Sequence, residues 1–210
     1  MFIILSGVQG SGKGTQGRIL EEKFGFKIFE TGGELRKHIA ANSEIGKKVK
    51  AVIDAGQLVG VEIIEEIVKE FIESLKPDDN VIFDGIPRNK VQKEFMDKIF
   101  NKFDYKVLSL DLPKEKVEAR LLGRRTCNNC KKVFPSVYEG DKCDNCETGV
   151  LVRRDDDQDE QAIKTRINIF FDETLPVIKM YEQEGKLVEV NADNSIEGVT
   201  EDIISKLNLK

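Results

Sequence analysis

Residues 7–16 read GVQGSGKGTQ: four glycines, one lysine and no large apolar side chain. Before them runs MFIILS, rich in β-branched residues. After them comes GRILEEKFG, whose Ile19, Leu20 and Phe24 recur at helical spacing. A glycine-rich loop between a buried strand and a helix leaves few folds open. Glycine tolerates backbone angles closed to other residues and lets amide N–H groups approach a ligand. The helix behind it presents unpaired N–H groups and a partial positive charge. Together they make a seat for phosphate, with Lys13 as the mobile charge above it. Gly7, Gly12 and Lys13 stand at the G-x-x-x-x-G-K spacing of a phosphate loop. Gly14 occupies the next position, where the strict pattern has Ser or Thr, and Thr15 supplies the hydroxyl one place later. An ordinary strand-to-helix turn accounts for glycines alone. The strand, loop and helix in the motif's own order favour the phosphate seat.

Strand-like runs follow at 27–29, 81–84, 106–112 and 187–190, after the first at 2–6. Helical patterns fall at 13–24, 31–41, 44–55, 61–75, 89–100, 114–123, 159–184 and 196–207. Such alternation predicts βαβ units and a parallel sheet covered on both faces. At 210 residues, one large domain with insertions is expected rather than two equal halves. Two stretches break the rhythm. Residues 30–60 carry helices with no strand between them. Residues 124–158 hold all four cysteines, few large apolar residues and the charged run RRDDDQDE. Neither interrupts a strand, so each is free to move against the sheet.

The net charge of −5 argues against a protein that coats nucleic acid. The longest apolar runs are too short to span a membrane, and the first residues enter a strand without a secretory pattern. A cytoplasmic protein is expected. The single histidine, His38, reads as a solvated helix residue, which leaves nucleophilic hydrolysis through His without support. Cys127, Cys130, Cys143 and Cys146 form two C-x-x-C knuckles twelve residues apart. That spacing suits one tetrahedral, structural Zn²⁺. Iron and a pair of disulfides are the competing readings.

Asp84 closes the strand-like run VIFD, where a carboxylate can organise Mg²⁺ through its waters. Arg88 and Gln92 follow at i and i+4, on one face of a helix that begins near 88. They offer a phosphate fork and an amide able to read a base. Arg120, Arg124, Arg125, Arg153, Arg154 and Arg166 gather around the cysteine stretch. Many cations in an acidic chain suit the meeting of two polyphosphates. An anionic acceptor needs no general base, so the set points to phosphoryl transfer between nucleotides.

The stretches GVQGSGKGT, TGGELR, DAGQLV, DGIPR with Gln92, GRRTCNNC and LPVIKMYEQEG, with the charged run before Arg166, together resemble the adenylate kinases of the zinc-bearing, long-lid branch. The resemblance covers essentially the whole chain. It implies an α/β fold of the P-loop nucleoside-triphosphate-hydrolase type, three layers around a five-stranded parallel sheet. The core would comprise residues 1–29, 61–123 and 160–210, with a helical NMP-binding insertion at 30–60 and a zinc-ribbon-like lid at 124–159. It implies reversible conversion of ATP and AMP into two ADP with Mg²⁺. The expected partners are these nucleotides, with no nucleic acid or membrane, in a chain that is monomeric by default, an oligomer remaining open. Gly10, Ser11, Gly12, Lys13, Gly14, Thr15, Arg120, Arg124 and Ala192 would hold the donor. Thr31, Arg36, Leu58, Val59, Gly85, Arg88, Gln92 and Arg166 would hold AMP. Lys13, Arg88, Arg124, Arg166 and one of Arg153 and Arg154 would grip the transferring group.

The chain departs from the family's usual pattern at Gln9 (for Pro), Gly33 (for Asp), Gly60-Val61 (for a polar pair) and Ala192 (for Gly). These changes spare the phosphate machinery and bear on base choice. The alternatives are a monophosphate kinase of broader or different base preference, such as GTP:AMP, and, more distantly, a zinc-ribbon nucleic-acid-binding ATPase.

Overall fold

The first strand, β1 (Phe2–Gly7), is buried along its whole length. Its side chains alternate with the strand period: Phe2 and Ile4 enter one apolar core, Ile3 and Leu5 the other. A strand buried on both faces must lie inside a sheet. In the computed structural model β1 is the middle strand of five, all parallel, in the order β2 (Lys27–Glu30), β3 (Val81–Asp84), β1, β4 (Tyr105–Asp111), β8 (Leu187–Asn191). The structure describes residues 1–209 apart from Lys131, Ser136, Val137, Glu147, Arg154–Asp156 and Gln158.

Helices fill both faces. α1 (Lys13–Phe24), α6 (Lys114–Leu122) and α9 (Ile196–Leu207) supply Leu20, Val117, Leu121 and Ile203 to one core. α4 (Val61–Glu73) and α5 (Lys90–Phe100) supply Ile64, Ile67, Val68, Phe95 and Met96 to the other. α2 (Thr31–Ala40) and α3 (Glu44–Asp54) lean on that second core through Leu35 and Val49. Ser43 caps α3 by accepting the Gly46 N–H and also bonds the His38 ring, which is half-buried rather than solvated.

Two elements differ from the sequence expectation. The helix expected over 159–184 is α7 (Glu160–Ile169), a π-helical turn at Phe170–Thr174, and α8 (Leu175–Gln183). Pro176 has no N–H for the carbonyl four residues back and crowds it, and the wider turn accommodates the defect. No strand-like run was read over residues 124–158. They hold a small antiparallel sheet, β6 (Val133–Phe134), β5 (Arg125–Cys127) and β7 (Leu151–Val152), over a core of Phe134, Leu151 and two of the cysteines. Strands of two or three residues are too short to show a period in sequence.

Candidate active site

The phosphate loop leaves β1 at Gly7 and enters α1 at Lys13. Gly12, the residue before α1, has φ +98°, a left-handed conformation that a side chain would strain. A methyl at Gly7 would stand 2.6 Å from the Leu110 carbonyl, so the loop also packs too tightly for one there. Lys13 Nζ folds back on the loop, donating to the carbonyls of Gly7 (2.6 Å) and Val8 (3.1 Å). Burial lowers the Lys13 ammonium to a pKa of about 8, against the attraction of Asp84. Thr15 is half-buried and Gly14 exposed in the first turn of α1. Arg120 joins the loop to the far edge of the sheet: its guanidinium donates to the Ala192 carbonyl at 3.2 Å and reaches the Gly10 carbonyl at 3.5 Å. Gly10, Arg120 and Ala192, three of the residues expected to hold the donor, therefore meet.

Asp84 ends β3 beside the loop, and its residue partner across the sheet in β1 is Leu5. Its side chain is buried, and burial raises the carboxyl to about 6, against the nearby Lys13. Gly85 then turns the chain with φ +81°. A methyl on Gly85 would stand 2.8 Å from Arg88 Nη2, so glycine leaves the space that Arg88 fills. Arg88 Nε donates to the Gly85 carbonyl at 2.8 Å. Thr174, in the π-helical turn, donates its hydroxyl to the Arg88 carbonyl at 2.8 Å. Burial holds the Arg88 guanidinium below its ordinary pKa.

The helix carrying Gln92 starts at Lys90 with Asn89 as its cap, not near 88. Arg88 and Gln92 thus do not share a helical face. They meet because Gln92 Oε1 accepts the Arg88 backbone N–H at 2.7 Å. Lys93 points the other way, buried between Asp97 (2.6 Å) and Glu184 (2.7 Å) and over the Tyr181 ring, and fastens α5 to α8. Thr31 opens α2 and donates to the Asp84 carbonyl at 3.1 Å. Arg36 pairs with Glu30 at 2.8 Å, and a methyl at Gly33 would stand 3.1 Å from the other Glu30 oxygen. Glu30 thus lays a carboxylate over the position where the family usually has Asp. Leu58 and Val59 lie between α3 and α4, with Val59 in the second core.

Arg124, Arg153 and Arg166 converge on Asp157, a residue the sequence offered only as part of a charged run. Asp157 is 0% exposed. Its carboxylate accepts Arg124 Nε at 2.7 Å and Nη2 at 2.8 Å, a two-pronged fork, and Arg166 Nη2 at 2.7 Å. Arg153 Nη2 donates to the Asp157 backbone carbonyl at 2.9 Å. Arg154, the other candidate for that role, lies outside the described residues. Gly56 closes the same side: a methyl there would press on the Ala162 carbonyl at 2.5 Å and on Arg166 Cγ at 3.1 Å.

The four cysteines are free and their donor atoms lie within 4.8 Å of one another. Cys127 and Cys146, and Cys130 and Cys143, stand 3.5 Å apart Sγ to Sγ. A disulfide needs about 2.05 Å. Tetrahedral thiolates about 2.3 Å from zinc would be about 3.8 Å apart. The N–H groups of Asn129 and Cys130 point at Cys127 Sγ and that of Asn145 at Cys143 Sγ, as suits thiolates. A hydrogen bond from the Lys132 backbone contributes most to holding the Cys130 thiol down at about 6, while burial pushes the metal-free Cys143 thiol up to about 12. A methyl at Gly149 would collide with Cys127 Sγ and Cys146 Sγ, so the cluster is built around an absent side chain. The residues fit a four-sulfur metal site and not two disulfides. Among the described residues no helix is long and apolar enough to cross a membrane.

A parallel sheet with a phosphate loop leading from its central strand, and with arginines gathered beyond its carboxyl edge, defines a P-loop nucleotide-binding protein. The family profile described as Adenylate kinase matches residues 5–186. The chain is 37% identical over 210 residues to an adenylate kinase of Archaeoglobus fulgidus, with 97% of this chain and 96% of that one covered. It is 37% identical over 218 residues to an adenylate kinase of Thermodesulfovibrio yellowstonii, both covered in full. The likeness to that of Methanothrix thermoacetophila is 37% over 217 residues, with 99% of each chain covered. The chain belongs to the adenylate kinase family, a family of nucleoside monophosphate kinases. The zinc-ribbon nucleic-acid-binding ATPase is thereby set aside.

Proposed function

We propose that this chain transfers a phosphoryl group reversibly from ATP to AMP, giving two ADP, with residues 30–60 and 124–159 closing over a core formed by the rest. The observation that carries the assignment of residues is the meeting of Lys13, Asp84 and Arg88 at the carboxyl ends of β1 and β3, within electrostatic reach of Arg124 and Arg166, which Asp157 holds.

Loop amides from Gly10 to Thr15 and Lys13 Nζ hold the donor phosphates, and Lys13 leaves the Gly7 and Val8 carbonyls to do so. Arg120 and the Ala192 backbone stand beside the donor base. Arg36 and Arg88 take the AMP phosphate, with Thr31, Gly85 and the Leu58–Val59 backbone lining the acceptor. Arg124, Arg166 and one of Arg153 and Arg154 exchange the Asp157 carboxylate for phosphate oxygens as the site closes. Closure excludes water, which protects ATP from hydrolysis. The acceptor is already an anion, so positioning and charge carry the catalysis and no side chain moves a proton.

Asp84 would hold Mg²⁺ through its waters, and the ion would shield the charge between donor phosphates. Cys127, Cys130, Cys143 and Cys146 would hold a structural Zn²⁺ that stabilises the short strands of the lid. A chain with Mg²⁺ and ADP is expected to form ATP and AMP without releasing inorganic phosphate. Lys13→Ala, Arg88→Ala and Arg124→Ala should each lose about a hundredfold or more in rate. Near-normal rates in all three would refute the assignment.

A second reading, relaxed base choice, is favoured by one contact. The Arg88 N–H takes one of the two lone pairs of Gln92 Oε1, so a base must share that oxygen or be read by the amide N–H₂. A shared oxygen accepts the amino group of adenine more weakly, which lowers discrimination against other bases. CMP, UMP and GMP assayed against AMP test this, and an adenine preference above about a thousandfold refutes it.

A further inference from the structure

Gln9 lies in the phosphate loop, where the sequence pattern gave no reason for a glutamine. It lines one cavity together with Lys13, Gly85, Arg88 and Thr174, residues the reading above divides between donor and acceptor. Its Oε1 is buried and, among the described residues, has no hydrogen-bond partner. Buried polar atoms are rarely left unpaired, so an orphan in a functional cavity points to an occupant. The charged side chains bordering that cavity, Lys13 and Arg88, are cationic, which makes the occupant an anion. Toward an anion a primary amide presents its N–H₂ end. A half-turn of the terminal torsion exchanges the two ends of Gln9 without changing its shape.

We propose that Gln9 Nε2 donates a hydrogen bond to a non-bridging oxygen of the phosphoryl group in transit between the nucleotides, which makes Gln9 a catalytic residue of this chain. The proposal rests on the phosphoryl-transfer reading above. In that step the bond from the γ-phosphorus to the β-phosphate oxygen of ATP breaks, and a bond to an AMP phosphate oxygen forms. The amide keeps both its protons and supplies no net charge. Its place in a cavity that Lys13 and Arg88 also line suits a contact that is strongest midway, when the group is bound fully to neither nucleotide.

The test compares wild type with Gln9→Leu, which keeps size and the backbone N–H, and with Gln9→Glu, which keeps shape but replaces the donor by a carboxylate. In Gln9→Leu, kcat should fall about 10- to 100-fold, as for one lost hydrogen bond to a charged group, with KM for ATP and for AMP within about twofold. Gln9→Glu should lose at least as much. Affinity for Mg²⁺, ADP and AMP with aluminium fluoride, which mimics the group in transit, should fall in Gln9→Leu by the same factor as kcat. A merely structural role would not move that affinity in step with kcat. An active wild type with Gln9→Leu at full kcat, or with only one KM changed, overturns this proposal alone. A wild type unable to disproportionate ADP overturns the phosphoryl-transfer reading and this proposal with it.

Discussion

Replacing Asp157 by asparagine removes one charge and almost no volume, at a site with no contact with water. The wild-type carboxylate is held by the Arg124 fork and by Arg166, whose side chains are 14% and 9% exposed. The amide keeps one acceptor oxygen but turns its N–H₂ toward guanidinium groups that need an acceptor. Breaking a buried ion pair from one side costs about 3–5 kcal/mol. Arg124 has a path to water, so the lower end applies, about 3 kcal/mol. For a chain this long that is a fall in Tm of about 6–12 °C. The deficit should depend on ligand. Phosphate oxygens offer the same forks a replacement anion, and ligand at 100 times its Kd adds about 2.7 kcal/mol to any protein that binds it. The freed arginines should therefore give Asp157→Asn a larger upward shift with Mg·ATP than wild type shows. Thermal unfolding followed by circular dichroism, with and without nucleotide, measures both effects. A Tm within about 2 °C of wild type without nucleotide would refute the reasoning. So would a deficit that saturating nucleotide leaves unchanged.

Gly149→Ala should abolish metal binding, because its methyl overlaps two of the four sulfur atoms. Elemental analysis should find one zinc per wild-type chain and none in the variant, with a strong chelator lowering wild-type Tm and not the variant's. Two intact disulfides in the wild type by mass spectrometry would overturn the metal assignment. Asp84 sets a pH dependence. Its folded pKa of about 6 lies above the ordinary 3.8, so the stabilisation belongs to the neutral carboxyl, complete below about pH 4 and lost as pH rises through 6. Lys13, Arg88 and Arg36 offset the burial that causes this, and Glu30 adds to it. Ligand-free Asp84→Asn should accordingly be more stable than wild type at pH 8, by about 3 kcal/mol, and no more stable at pH 4. Denaturant melts at the two pH values check this, and equal stability at pH 8 would count against it.

Strand and helix order was legible in the sequence because both are periodic in neighbouring residues. The five runs beginning at 2, 27, 81, 106 and 187 became the five strands of the sheet, and the loop from Gly7 to Thr15 sits where its glycines require. The cysteine pairs were legible for the same reason: each knuckle is four residues of chain, and twelve more bring the second to the first. Tertiary structure decided what depends on distant partners. Asp157 looked like one acid in a charged run until Arg124 and Arg166, 33 and 9 residues away, closed on it and took it out of water. Arg88 is fixed by Gly85 and by Thr174, 86 residues on, through a π-helical turn that the pattern over 159–184 read as plain helix. Gln9 showed in the sequence only as a departure from the family's usual Pro, which does not say what its amide does. Its meaning comes from a buried, unpaired Oε1 in a cavity lined also by a lysine and an arginine. Burial and pairing of polar groups are properties of surfaces brought together. A chain read one residue at a time contains the groups but not the surfaces that enclose them.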